Sequence, residues 1–147
     1  MKREVNFIVV HCTATQPTAK IEDIKRYWKE VLGWKNPGYH YIIKTNGDIV
    51  KLLSENIPSN GVAGHNHDSV HLSYIGGVDK TNKPLDNRTL SQEAAMFDLI
   101  VELSERYPKA TILGHRDFQG VKKACPSFDV KEWLRNFTPH LKFNLAA

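Results

Sequence analysis

The sequence predicts an α/β fold: a single domain with a central mixed β-sheet of about five strands flanked by three main helices. Three observations predict it. A β-branched apolar run at Val5 to His11 and short strand-like segments within Tyr39 to Leu53, at His71 to Ile75 and at Thr111 to Leu113 alternate with stretches of helical periodicity. The chain has 147 residues, about one domain, and a domain of that size buries roughly 68–70% of its unfolded surface, enough for a core without staples. The composition, 41% apolar and 24% charged with nine glycines and seven prolines, is that of an ordinary globular protein. It excludes the disordered, collagen-like and low-complexity classes.

Each element has its own signal. Val5 to His11 closes on a polar residue and reads as a buried strand that delivers His11 to a sheet edge or cleft. Thr13 to Ala19 reads as loop. Ile21, Ile24, Trp28, Val31 and Leu32 then follow the i, i+3, i+7 stripe of an amphipathic helix over 21–32, with Gly33 as its stop. Asn36-Pro37-Gly38 precedes two strands within 39–53. They are joined at Asn46-Gly47, where both central residues of a two-residue hairpin turn must tolerate positive φ. Pro58 to Ser69 holds glycine, proline and two histidines without periodicity, a loop of functional length. His71 to Ile75 is a short strand ending in Gly76-Gly77, and 79–87 is a polar surface loop.

Thr89-Leu90-Ser91-Gln92 has the form of a capping box. It opens a helix over 91–106 that is striped by Met96, Leu99, Ile100 and Leu103 and ends before Pro108. Thr111 to Leu113 is a brief strand leading into Gly114-His115-Arg116-Asp117. Asp129 to Glu132 again has capping-box form, before a helix over 129–137 whose apolar face includes Trp133, Leu134 and Phe137. No repeat, linker or low-complexity block interrupts the chain, which reads as one domain, 1–147, with its core over about 5–137.

Twenty Lys and Arg against sixteen Asp and Glu leave a formal charge of +4. This modestly favours an anionic partner: nucleic acid, an acidic lipid surface or a carboxylate-rich polymer. The two cysteines, Cys12 and Cys125, cannot make a disulfide framework and are expected as free or metal-bound thiols. The apolar run Phe7 to Val10 is shorter than the core of a signal peptide, and no stretch nears the roughly 20 apolar residues of a membrane span. Synthesis in the cytoplasm without a signal peptide is therefore expected, with any work elsewhere reached by another export route.

Histidine and cysteine at strand ends and in loops are the first candidates for a metal or catalytic site, here His11, His115 and Cys125. Each alone reads equally as a satisfied polar residue or a small buried thiol, and His11 and Cys125 lie too far apart for a local zinc-finger spacing. Three blocks connect them: Val9-Val10-His11-Cys12-Thr13-Ala14-Thr15, Gly38-Tyr39-His40-Tyr41-Ile42-Ile43, and Gly114-His115-Arg116 through Lys123-Ala124-Cys125-Pro126-Ser127-Phe128-Asp129. In order and spacing, over about residues 5 to 137, these resemble the signature blocks of the type-2 N-acetylmuramoyl-L-alanine amidases. Those zinc amidases include short bacteriophage lysozymes and peptidoglycan recognition proteins.

The resemblance implies zinc-dependent hydrolysis of the amide between N-acetylmuramic acid and L-alanine in peptidoglycan, with one Zn²⁺ per chain in a cleft at the sheet edge. It implies a phage or prophage endolysin that acts on the cell wall after release by another route. Carried over by position, His11, His115 and Cys125 match the zinc ligands, Tyr39 a catalytic tyrosine and Lys123 a catalytic lysine. Three protein ligands leave the fourth tetrahedral position open, as in catalytic rather than structural zinc. The metal would polarise the amide and bring the pKa of water near neutral, while the phenol and ammonium donate to the oxygen that becomes anionic. His40, His65, Asn66, His67 and Trp34 are the residues expected at the substrate groove, Trp34 as a surface on which a sugar stacks. The expected partner is peptidoglycan and not nucleic acid; a protein partner is not legible.

The chain also departs from the family pattern. Some relatives carry Asp as the third ligand and an acidic residue on the strand corresponding to 69–77, but Ser69 to Ile75 contains no carboxylate, and His71 stands where a glycine is expected. The 58–69 loop looks shorter than in similar phage enzymes. Cys12 follows His11 in a strand, so it points to the opposite face and packs. Two other readings stay open. One is a non-catalytic peptidoglycan-binding module, although such forms typically lose the cysteine ligand. The other is a metal-free cysteine hydrolase, with Cys125 as nucleophile and His11 or His115 as base.

Overall fold

The computed structural model describes residues 2–146. Its five strands, β1 (Phe7–Cys12), β2 (Tyr41–Ile43), β3 (Ile49–Lys51), β4 (Ser69–Tyr74) and β5 (Thr111–Gly114), lie in the order β3-β2-β4-β1-β5. β1 runs parallel to both β4 and β5, β2 runs parallel to β4, and only the edge strand β3 is antiparallel. Parallel strands are covered on both faces, which is why Phe7 to Val10 of β1 is a continuous apolar run and why all six residues of β4 are buried although polar and apolar residues alternate along it. β3 is largely exposed.

Alternation along β1 still divides the residues by face. Ile8, Val10 and Cys12 join Leu72, Tyr74 and Ile43 beneath α2 (Leu90–Arg106) and α3 (Val130–Phe137), which supply Met96, Leu99, Ile100, Leu103, Val130 and Leu134. Val9 belongs to a separate cluster with Val62, Leu113 and Phe118. Ile42 and Ile75 pack instead against Ile24 of α1 (Ile21–Arg26) and against Trp28. α2 starts as expected, on a complete capping box: Gln92 N–H donates to the Thr89 hydroxyl and Thr89 N–H to the Gln92 side chain, both at 3.0 Å. On α3, Val130 and Leu134 are the buried pair, one turn apart. Phe137, expected on the same apolar face, is 44% exposed and meets Phe97 at 4.8 Å between ring centroids.

Two local expectations change. The helix expected over 21–32 is α-helical only to Arg26 and then widens into a π-helical turn, Tyr27–Val31, closed by Leu32 N–H to the Tyr27 carbonyl at 3.1 Å. This turn carries the buried Trp28, whose indole lies so close over Gly38 that a Cβ there would be 3.0 Å from the ring. The β2–β3 hairpin is also wider than a two-residue turn. Gly47 N–H reaches the Lys44 carbonyl at 2.8 Å, Lys44 N–H reaches the Asp48 carbonyl at 2.9 Å, and the Asn46 side chain accepts Asp48 N–H at 2.9 Å. In this loop Gly47, at φ +92°, supplies the left-handed residue, and Asn46 keeps negative φ.

Past α3, the Asn144 carbonyl accepts Ile112 N–H at 2.8 Å and Leu145 bridges Ile112, so the C-terminal segment lies along β5. None of the described helices is long and apolar enough to cross a membrane.

Candidate active site

β1 and β5 end side by side, with Val10 opposite Gly114, so His11 and His115 leave the sheet together. His11 is 1% exposed, and its ring centroid is 4.9 Å from that of His115. Cys125 arrives from a loop 114 positions beyond His11, and three hydrogen bonds hold that loop in place. Arg116 N–H donates to the Cys125 carbonyl (2.9 Å), the Tyr74 hydroxyl to the Pro126 carbonyl (2.7 Å) and the Ser127 hydroxyl to the Gly77 carbonyl (2.8 Å). Cys125 Sγ thereby lies 3.8 Å from His11 Nδ1 and accepts Cys12 N–H at 3.2 Å. Donor atoms of His11, His115 and Cys125 all fall within 4.8 Å of one another. Tetrahedral zinc with Zn–S about 2.3 Å and Zn–N about 2.0–2.1 Å would set sulfur and nitrogen about 3.6 Å apart. The observed spacing fits one such ion, and thiolate with imidazole is a donor set for zinc rather than for magnesium or calcium.

The electrostatics suit ligands more than a free nucleophile. Burial holds His11 well below the ordinary imidazole range, with further lowering from His71, His115 and Lys123. Burial and the Lys123 charge bring His115 to about 4, so both rings are neutral at pH 7, the form a metal binds. The Cys125 thiol is pushed up by its hydrogen bond with Cys12 and by burial, so without a metal it is a poor source of thiolate. The Tyr39 ring leans on His11 (4.9 Å) and on Trp28 (5.4 Å), and its hydroxyl donates to the Cys12 carbonyl at 3.2 Å. Burial and the neighbouring cysteines raise its phenol above the usual range, so it remains a proton donor.

The N-acetylmuramoyl-L-alanine amidase family model matches residues 1–128. The chain belongs to this type-2 amidase family. It is 37% identical to the endolysin of Klebsiella phage KP32 over 90% of its own length and 87% of the relative's. It is 34% identical to the endolysin of Escherichia phage T7, over the same shares of the two chains. Among solved structures it resembles the Ph2119 endolysin from Thermus scotoductus MAT2119 bacteriophage Ph2119, with a TM-score of 0.77 and 25% identity over 92% of this chain and 86% of that one. The protein is an N-acetylmuramoyl-L-alanine amidase, a peptidoglycan hydrolase with phage endolysins as relatives.

In this amidase the cleft over the metal-ligand candidates has a volume of about 750 Å³ and is lined by Thr13, Trp28, Trp34, Tyr39, His115, Lys123 and Cys125, among others. A second groove of about 540 Å³ shares Trp34, His115 and Lys123 and runs along residues 60–63. Trp34 and the exposed Lys123 line both grooves, and Tyr39 lines the first. Cys12 packs as expected, so tightly that a Cβ on Gly77 would lie 2.4 Å from its sulfur.

Four groove expectations are corrected. His40 is fully buried; its Nδ1 accepts His71 N–H at 3.0 Å and its Nε2 donates to the Ile57 carbonyl at 2.7 Å. His65 stacks on Phe118 at 4.2 Å, Asn66 Oδ1 accepts Val62 N–H at 2.8 Å, and His67 points outward beside Asp68. None of the four lines either groove. The reason is strand direction: residues 65–68 precede β4, which is parallel to β1, so they lie beside Asn6 and Phe7 at the opposite end of β1 from His11.

Sequence reasoning also missed a contact. His71 Nδ1 is 2.8 Å from His11 Nε2. Alternation puts Val9 and His11 on one face of β1, but it is the parallel register of β1 with β4, pairing His71 with Val9, that brings His71 to His11, and no local sequence signal carries that register.

Proposed function

We propose that this amidase is a zinc enzyme that cleaves the amide between the lactyl group of N-acetylmuramic acid and L-alanine, acting on the cell wall as an endolysin. The observation that carries this reading is the meeting of His11, His115 and Cys125 in a cleft walled by Tyr39 and Lys123. When bound there, zinc supplies Lewis acidity and brings the pKa of water near neutral. The chain's own groups do the rest. His11, His115 and Cys125 would hold the ion beside the cleft. The Tyr39 phenol and the Lys123 ammonium donate to the amide oxygen as it becomes anionic, a contact made chiefly in the transition state. Trp34 offers a flat apolar surface to the sugar, and the positive Lys122-Lys123 pair attracts a polymer rich in carboxylates.

The test is digestion of purified peptidoglycan, with new amino groups and new reducing ends assayed separately, on protein of measured metal content. About one zinc per chain, loss of activity on chelation, recovery with added Zn²⁺, and new alanine amino termini without reducing ends are expected. Full activity in metal-free protein would reject the zinc site, and new reducing ends would reject the bond assignment.

A further inference from the structure

His71 is fully buried on β4 and is not one of the three grouped donors, yet its ring touches His11. A bond between two imidazole nitrogens can run in either direction. The surrounding atoms settle which. Asn66 Oδ1 accepts the backbone N–H of Val62 at 2.8 Å, so that side-chain atom is the oxygen and can only accept. It lies 3.0 Å from His71 Nε2, which must therefore carry the proton and donate. A neutral His71 then has a lone pair on Nδ1, and Nδ1 is the atom 2.8 Å from His11 Nε2. The second proton therefore belongs to His11 Nε2. That leaves His11 Nδ1 as a lone pair, and Nδ1 is the nitrogen that faces Cys125 Sγ at 3.8 Å.

We propose that His71 is a positioning residue: Val62 N–H marks Asn66 Oδ1 as an acceptor, His71 Nε2–H donates to that oxygen, and His11 Nε2–H donates to His71 Nδ1, which fixes the nitrogen of His11 presented to the metal. The proposal rests on the zinc reading above. His71 is itself held from several sides. Its backbone N–H donates to His40 Nδ1 at 3.0 Å, and its ring lies parallel to that of His40, with 5° between the planes and 6.0 Å between centroids. On the other side Gly61 comes so close that a Cβ would stand 2.3 Å from His71 Nδ1. Partners that orient a ligating histidine through its second nitrogen are typically worth about 10–100-fold in metal affinity.

Two measurements test the proposal. In metal-free wild-type protein at neutral pH, long-range ¹H–¹⁵N correlation of the imidazoles should show both His11 and His71 protonated at Nε2. A proton on Nδ1 of either ring overturns the relay whether or not the protein binds zinc. Zinc affinity is then measured by chelator competition on variants whose folding is checked by melting. His71→Leu should bind zinc about 10–100-fold more weakly, and His71→Asn should recover most of the loss, because its carbonyl oxygen can accept from His11 Nε2. Asn66→Leu removes the orienting acceptor without touching His11, and it carries the same test should His71→Leu not fold. Unchanged zinc affinity in folded His71→Leu or Asn66→Leu protein overturns the proposal. If the wild type binds no zinc, the metal reading is what fails, and the tautomer measurement still decides the relay.

Discussion

The Cys125 sulfur accepts Cys12 N–H and faces His11 Nδ1, so its chemistry can be separated by substitution. Cys125→Asp keeps an anionic ligand and should retain part of the zinc and activity, whereas Cys125→Ala should lose both; metal analysis and peptidoglycan digestion read the two together. A nucleophilic cysteine would be lost to either change and would leave a trappable acyl-enzyme. Tyr39 and Lys123 make the second residue-scale prediction. Under the zinc reading, one thiolate and two neutral imidazoles would cancel one of the ion's two charges and leave a weakened electrophile, so further donors would be needed as the amide oxygen becomes anionic. Tyr39→Phe and Lys123→Ala should each lower kcat by about 10²–10³ with zinc retained and KM little changed. Near wild-type kcat in a zinc-loaded variant would remove that residue from the mechanism. Lys123→Arg should rescue only partly, because a planar fork replaces a compact charge.

At the scale of elements, α2 is fastened to the sheet by one side chain. Gln92 is fully buried; its Nε2 donates to the carbonyls of Ile43 (3.2 Å) and Ile75 (3.1 Å), and its Oε1 accepts Thr89 N–H. It therefore completes the helix cap and ties the ends of β2 and β4 to the helix start. Gln92→Leu keeps a similar volume but removes these bonds, so it should lower stability by about 1–3 kcal/mol. The urea midpoint measures this. Peptidoglycan hydrolysis by the folded variant should be unchanged, because Gln92 packs on the face of the sheet opposite His11. An unshifted midpoint would show that water or relaxation replaces the lost bonds.

For the whole molecule, buried neutral imidazoles make stability depend on pH. Burial brings His40 to about 4 and, with the charge of Lys123, His115 to about 4, while an unfolded histidine titrates near 6.5. Between those values the unfolded chain binds more protons, so this contribution is fully present above about pH 6.5 and is lost as pH falls toward 4. Glu55 adds a second step of the same sign. Burial would raise its carboxyl, but hydrogen bonds from Arg106, Tyr107 and Tyr41 outweigh burial and hold it at about 2. Its contribution is present above about 4.5 and is lost as pH falls toward 2. Urea midpoints of metal-free protein should thus be level from pH 8 to 7 and fall steadily below 6.5; a constant midpoint down to pH 4.5 would contradict this. Because its ligands come from distant segments, zinc should raise the melting temperature by mass action, and chelation should remove the increment.

By itself the sequence determined whatever a few neighbouring residues can encode. The β-branched runs became strands, the stripe of Met96, Leu99, Ile100 and Leu103 became the buried face of α2, and the Thr89 to Gln92 cap closed within four residues of chain. Resemblance of the three motif blocks to the amidase family, and not local encoding, pointed to His11, Tyr39, His115, Lys123 and Cys125, which the structure brings to one cleft or its wall. The histidines between the blocks were another matter. Whether His65 and His67 reach the site depends on which end of β4 they precede and on β4 running parallel to β1, and strand order and direction leave no local trace. His40 and His71 look alike in sequence, yet register puts one behind the site against Ile57 and the other against His11. Periodicity assigns a side chain to a face, but pairing across 60 residues of chain decides its neighbour, and only the assembled sheet supplies that pairing.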